Sequence, residues 1–363
     1  MKAILRSACL RVVTAIFLLA GPVASPAAVV EPSAIPAMPS RLAATRPLVA
    51  VTTAGARLVA AGQHGHIVYS DDQGASWQQA KVPVSVDMVC LRFVDAKRGW
   101  AGGHDGVLLR TDDGGLTWTR VFEGRELARS MVEHYEKRVA GGDALVQAAL
   151  EESRRFVDEQ GSRPLLDIWF ENEKTGFVIG AWNLIFRTDD GGQTWLPWLE
   201  HVDNPRANHL NAMARVGAQL WMVGEQGLML RYDPAVQRFV QSVSPTPASL
   251  FGITGSDRSV VVFGLAGQTY VSTDGGASWT ASAVAAGTAM TGGAMLGDGR
   301  VVLVDAGAGL WVSEDAGRKF KRFSAQRPMS FFSVAVAAGE RLVLAGMQGV
   351  QVEQLEQLEQ LGR

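Results

Sequence analysis

The stretch RTDDGGLTW, Arg110 to Trp118, is written again at Arg187 to Trp195 as RTDDGGQTW. Two more copies, YSDDQGASW from Tyr69 and VSTDGGASW from Val271, follow the same grammar, and a worn one, VSEDAGRKF, starts at Val312. One copy would be an ordinary hairpin turn. Five at a regular spacing describe an architecture.

The spacing is read from the aspartate two residues after the Ser or Thr: Asp72, Asp113, Asp190, Asp274 and Asp315, with gaps of 41, 77, 84 and 41. The 84 is two units, and the missing copy survives in LMLRYDPAVQRF as Asp233 and Phe239. The 77 is one unit of 41 plus an insertion of 36 residues. An apolar hairpin rich in glycine precedes each copy, as in GWAGGHDGVLLRT and LWMVGEQGLMLRY, and a seventh, LVLAGMQGVQVEQ, begins at Leu342 with no turn motif after it. A period near 40 with several short strands per unit is the signature of propeller blades. Seven hairpins predict an all-β, seven-bladed β-propeller with four-stranded blades.

In the second unit the strands read VCLRFVD, GWAGG, GVLLRT and TWTRV, so the repeated turn joins the third strand to the fourth. Its chemistry reads as structural. The carboxylate accepts backbone N–H groups of the turn and a hydroxyl braces it. The glycine supplies a positive φ, and the tryptophan returns to fill space between sheets. The residues in these roles are Ser70, Asp72, Gly74 and Trp77; Thr111, Asp113, Gly115 and Trp118; Thr188, Asp190, Gly192 and Trp195; and Ser272, Asp274, Gly276 and Trp279. A calcium loop needs more oxygens and a distal Glu, so no metal is expected here. His64, His66 and His104 come from different blades without ligand spacing, and no cofactor is expected.

At these residues the chain resembles known families. Ser/Thr-x-Asp-x-Gly-x-Ser/Thr-Trp is the Asp-box of sialidase-like, BNR-repeat propellers. GHDGVLLRTDDGGLTW together with VDAKRGWAGG is similar to the photosystem II stability and assembly factor family, with relatives in bacteria without photosynthesis. The resemblance runs from about Arg41 to Val352. It implies an extracytoplasmic propeller that binds membrane-protein subunits during assembly, without catalysis. Blades four and six depart from it with degraded turns, and so does the long connection between blades two and three.

Composition agrees with a large globular chain of 363 residues, 47% hydrophobic and 19% charged, with a net charge of -2. That balance lacks the basic footprint of a nucleic-acid binder. Forty glycines, 14 prolines and 10 tryptophans suit short strands joined by tight turns. Lys2, Arg6 and Arg11 precede the apolar run Val12 to Ala20, and small residues follow, which predicts a secretory signal cleaved after Ala27. The expected location is periplasmic, with no membrane span left in the mature chain. Removal of the leader leaves Cys90 alone, so no intrachain disulfide is expected.

The expected layout is therefore a leader at 1–27, a propeller at 28–352 holding an insertion at 123–164, and a tail at 353–363. Within the insertion Leu127, Met131 and Tyr135 recur every fourth residue, and Leu145, Ala149, Leu150, Phe156 and Val157 continue a helical period after Gly141–Gly142. This predicts a helical hairpin. As a surface insertion it is expected to be replaceable by a short linker without unfolding the propeller. The seventh unit supplies only three strands, so the proline-bearing segment Val29 to Ala43 is expected to close that blade as its outer strand.

The insertion follows a fourth strand, so it shares a face with the turns between second and third strands. Those turns carry the candidate binding residues Gln63, His64, His104, Asp105, Trp182, Asn183, Glu225 and Gln226 around the channel mouth, with Gln348 in the last blade. The expected function is non-enzymatic protein binding by a monomer, with a membrane protein or membrane-complex subunit as partner. The alternative is an Asp-box glycoside hydrolase, sialidase-like or using a carboxylate pair such as Asp105 with Glu225 or Asp305. Against it, Tyr69, Tyr232 and Tyr270 sit beside the Asp-box turns and Tyr135 lies in the insertion, none placed for attack in the channel.

Overall fold

Each copy of the repeat folds into a small antiparallel sheet whose strands follow one another in chain order. Blade two shows the pattern: Met88–Phe93, Gly99–Gly103, Leu108–Thr111 and Thr119–Phe122. The computed structural model describes residues 30–361 and contains six such four-stranded sheets and one of three strands. The seven-bladed propeller read from the repeat is the fold. The proposed leader lies outside the described residues. The chain divides into two units, Met1–Glu31 and Pro32–Arg363, and the blades all belong to the second.

The second strand of each blade is wholly or almost wholly buried, as in Gly99–Gly103 and Gly176–Gly180, because both of its faces pack against neighbouring blades. The first strands surround a central channel of about 380 Å³. Every first strand shifts register by one residue near its start, at Leu48/Ala50 in blade one, Met88/Cys90 in blade two and so on to Phe331/Ser333 in blade seven. A bulge at the same place in each unit bends and twists the inner strand locally. It marks the repeat even where the sequence motif has worn away.

Blade seven stops at three strands: Phe331–Ala337, Arg341–Gly346 and Gly349–Gln354. Over residues 30–43, the described part of the segment from Val29 to Ala43, the expected closing strand does not form. The end of the segment reaches blade seven, where Ala44 packs against Gly349, while its body follows the outside of blade one. There the Ser85 N–H donates to the Pro32 carbonyl at 2.9 Å, Ala37 N–H to Val82 at 3.1 Å, and Gln79 exchanges bonds with Ser40 and Met38. The ring closes by side-chain packing, with Leu48, Val51, Leu58 and Val68 of blade one in a single cluster with Val343, Ala345 and Val350 of blade seven.

The insertion is a helical hairpin as predicted, α1 at Gly124–Glu136 and α2 at Ala144–Asp158. Asp143 caps α2 by accepting the Leu145 N–H at 2.8 Å. The hairpin packs into the blades, which weighs against its replacement by a linker. Leu127, Met131, Tyr135, Leu150 and Phe156 belong to the same buried cluster as Trp100, Phe186, Trp198 and Phe239 of blades two to four. A short helix, α3 at Leu355–Leu361, follows the last strand.

Candidate functional site

The turns between second and third strands form a repeated device. In four blades its middle residue is a side-chain-bearing residue forced into the left-handed region: His64 at φ 56°, Asp105 at 52°, Gln226 at 53° and Ala266 at 56°, each followed by glycine. Blade three differs, for Trp182 at φ 50° is followed by Asn183 at 61°. A bulky residue held there carries about 1–3 kcal/mol of strain, which its surroundings must impose.

The surroundings are a polar network under the turn. The Trp182 N–H donates to His209 Nδ1 at 3.1 Å, and the two rings meet edge to face at 4.7 Å. The guanidinium of Arg163 lies 5.5 Å from the indole centre and donates to the Trp182 carbonyl. Arg163 is itself 1% exposed and held by Glu152 at 2.5 Å and Glu159 at 2.6 Å, both on or beside α2. The insertion thereby fixes the one exposed tryptophan among the described residues, Trp182 at 44% exposure. Beneath it Asn183 accepts from Asn204 Nδ2 at 3.0 Å, and Asn204 also holds Asn208.

The structure brings some of the candidate residues together and scatters others. Trp182 and Glu225 share His209, whose Nδ1 stands 3.6 Å from the Glu225 carboxylate. Asp105 accepts the Ser162 hydroxyl at 3.2 Å, next to Arg163 in the chain. Gln63 and His64 are exposed in blade one, where the His64 N–H donates to Asp87 Oδ1 at 2.7 Å. His104 and Gln226 are exposed, while Asn183 is buried and serves the turn rather than the surface. The residues missed in the sequence are those just ahead of a first strand. Asp87, His209 and Ser249 accept the turn N–H of the preceding blade, at His64, Trp182 and Gln226. A polar residue directly before the first strand, as at Asp87, His209, Ser249 and Ser330, was the available signal.

The channel is poor in catalytic groups. Its lining includes a single carboxylate, Asp167, and a single guanidinium, Arg92. Asp167 accepts the N–H groups of Ile168 and Met213 at 2.8 Å, and burial pushes its carboxyl above the usual range. Asp105 and Glu225 stand outside the channel lining. Asp305 is 3% exposed and fully engaged, accepting Gly307 N–H, Gly309 N–H and Trp311 Nε1, so it cannot partner a sugar. Tyr135 is buried too, donating to Glu200 at 2.7 Å and accepting the Leu199 N–H at 2.9 Å. Burial and the neighbouring Glu200 carboxylate push its phenol up, away from any nucleophilic role. Among the described residues no three metal-type side chains converge.

The Asp-box turns lie on the opposite face. In blade two Asp113 accepts Leu116 N–H and Thr117 N–H at 3.0 Å and the hydroxyls of Thr111 and Thr117. Blade six keeps three of these four bonds at Asp315, from the Ser313 hydroxyl and the Arg318 and Lys319 N–H groups, and lacks the second hydroxyl because Lys319 replaces the Thr. In blade four, where the motif is lost, Asp233 takes the Ala235 N–H in a plain hairpin.

Residues 147–306 match the family described as photosynthesis system II assembly factor YCF48, so the likeness read from the Asp-box units holds. The photosystem II assembly lipoprotein Ycf48 of Synechococcus sp. (strain CC9902) is 27% identical over 131 residues, which is 35% of this chain and 39% of that protein. The match thus spans well under two thirds of the curated relative. Among solved structures, YCF48 bound to D1 peptide superposes with a TM-score of 0.61 at 15% identity, covering 88% of this chain and 98% of that one. YCF48 from Cyanidioschyzon merolae gives 0.61 at 14% identity with the same coverage. A streptogramin B lyase gives 0.63 at 12% identity, over 85% of this chain and 95% of its own. Likeness at these identities shows the propeller fold, and the fold is shared by an enzyme. No described helix is long and apolar enough to cross a membrane.

Proposed function

We propose that the chain is a non-enzymatic, extracytoplasmic binding propeller that assists assembly or stabilisation of a membrane protein complex, holding one of its subunits. The observation that carries this reading is the match of residues 147–306 to the photosystem II assembly factor family. The solved relative bound to D1 peptide supports a client that is a segment of protein. A channel lined by one carboxylate, already accepting two backbone N–H groups, weighs against carboxylate-pair glycoside hydrolysis, which needs two. The docking face we assign is the one carrying Trp182, His104 and Glu225, where a rigid turn and an exposed indole stand beside the helical hairpin.

The test is affinity capture from detergent-solubilised membranes of the native host. The wild-type chain should retain one integral membrane protein, and the combined variant His104→Ala, Trp182→Ala, Glu225→Ala should lose it. Capture unaffected by the three substitutions, or turnover of any substrate in a broad glycoside panel, overturns the reading.

A further inference from the structure

Among the described residues the seventh blade has three strands, and beyond Gly349, against which Ala44 packs, no fourth strand covers its outer edge. In the hairpin Arg341–Gly346 to Gly349–Gln354 the pairs Gly346↔Gly349, Leu344↔Gln351 and Leu342↔Glu353 alternate with Ala345↔Val350, Val343↔Val352 and Arg341↔Gln354. A two-residue turn closes on a hydrogen-bonded pair, so the first set points its N–H and C=O groups inward. The backbone groups of Val350 and Val352 and the N–H of Gln354 therefore point away from the ladder, while the Gln354 carbonyl stands at the start of α3.

The other blades show what belongs there. In blade one the third strand presents Ile67 and Tyr69 outward, and the fourth strand answers: Ala80 N–H donates to the Ile67 carbonyl at 2.8 Å, and Gln78 pairs with Tyr69. In blade seven the carbonyl equivalent to Ile67 is Val350, and it takes a guanidinium instead, from Arg327 Nη2 at 3.1 Å. A side chain stands in for the first donor of the absent strand. Val352, the equivalent of Tyr69, has no backbone partner on that side among the described residues. Glu353, in the inward-bonded set of the same strand, is 1% exposed and accepts the Gln326 N–H at 2.9 Å.

We propose that this edge takes an extended segment of the client protein as the fourth strand of blade seven, by main-chain hydrogen bonds to Val352 and to the N–H groups of Val350 and Gln354, with Arg327 giving up the Val350 carbonyl. The inference rests on the reading of the chain as a client-binding propeller. The occupant is an extended peptide because the fourth position is filled by main chain wherever it is filled. The strands found there are as short as two residues and differ in side chains: Gln78–Gln79, Leu196–Pro197 and Thr280–Ala281. Such a site accepts a client by its backbone and by its freedom to extend, with side chains adding selectivity.

The test uses the full chain and a synthetic probe, acetyl-TWTRVFE-amide, which copies the fourth strand of blade two. Amide exchange at Val350 and Val352 should be fast in the free protein and slow by about tenfold or more with saturating probe, as expected for amides entering a ladder. Val352→Pro removes an outward N–H while leaving the inward ladder intact, and it should abolish protection of Val350. A probe N-methylated at alternate residues should not bind, and this arm decides the matter if the proline variant does not fold. No protection by the probe, or equal protection by the methylated probe, overturns the proposal. Concentration-dependent dimerisation lost in Val352→Pro, with no probe binding, would assign the edge to a second copy and overturn it as well. Membrane capture retained by a folded Val352→Pro variant defeats this site while the client reading stands; no capture by the wild-type chain defeats the client reading itself.

Discussion

Gly192 of the third blade lies against the indole of Trp100 in the second: a Cβ placed on Gly192 would stand 2.7 Å from Trp100 Nε1. The relationship recurs around the ring. Gly276 meets Trp221, Gly317 meets Val261, and Gly74 meets Val352 across the junction of first and last blades. The glycine of each Asp-box is thus a contact point between blades as well as a turn former. Gly192→Ala should destabilise the fold by about 2 kcal/mol or more, combining left-handed strain with overpacking. Chemical denaturation measures it, and a midpoint unchanged from wild type would remove the inter-blade role.

Asp113→Ala removes the acceptor for two backbone N–H groups and two hydroxyls in the same turn. The expected loss is about 1–3 kcal/mol. Asp233→Ala in the blade-four hairpin, where one N–H is accepted, should cost less. Equal melting temperatures for the two variants would mean that the bonding pattern does not set the stability.

Acid should expose the same bonds. Hydrogen bonds from Ser76 hold the Asp72 carboxyl down at about 2, against a usual 3.8, and those from Ser278 do the same for Asp274. Asp190 is also held at about 2: burial pushes it up, and bonds from Thr194 and Thr188 outweigh that. A carboxyl depressed in the folded state contributes stability above its unfolded value and loses it as pH falls toward the folded one. The stability gap between wild type and the triple variant Asp72→Asn, Asp190→Asn, Asp274→Asn should be constant above pH about 4.5 and shrink toward pH 2. Burial lowers His66, His134 and His201, but these titrate alike in both proteins and cancel. A gap that does not change with pH would refute the assignment.

The ring was legible because its turn chemistry is local: Thr111, Asp113, Gly115 and Trp118 bond and pack within nine residues, so the motif survives in the sequence as a spelling. Its closure was not legible. Whether Pro32, Pro36 and Pro39 lie on blade seven or blade one depends on single bonds to Gln79, Val82 and Ser85, which no periodicity records. At the candidate site the exposed turn residues could be read from their place between strands. Their partners could not, because His209, Asn204 and Arg163 reach Trp182 and Asn183 from distant positions in the chain, by contacts that exist only after the blades assemble.

The helical hairpin gives the sharpest case of that difference. From the sequence it is an insertion between complete units, and loop-closure entropy alone would let it go. In the structure Tyr135 of α1 reaches across to the segment after blade three, donating to Glu200 and accepting from the Leu199 backbone, while Arg138 pairs with the same glutamate. Glu200 is 7% exposed, so removing its partners leaves a buried carboxylate short of donors. Tyr135→Phe deletes one hydroxyl that serves as both donor and acceptor, and should cost about 1–3 kcal/mol with little change in packing. Replacing residues 125–160 by a Gly-Ser linker strips the cover from Phe186 and Trp198 and orphans Arg163, and should lower the melting temperature far more than Tyr135→Phe does. Thermal unfolding of both variants decides the point. A linker variant as stable as wild type would return the hairpin to the status of a dispensable insertion.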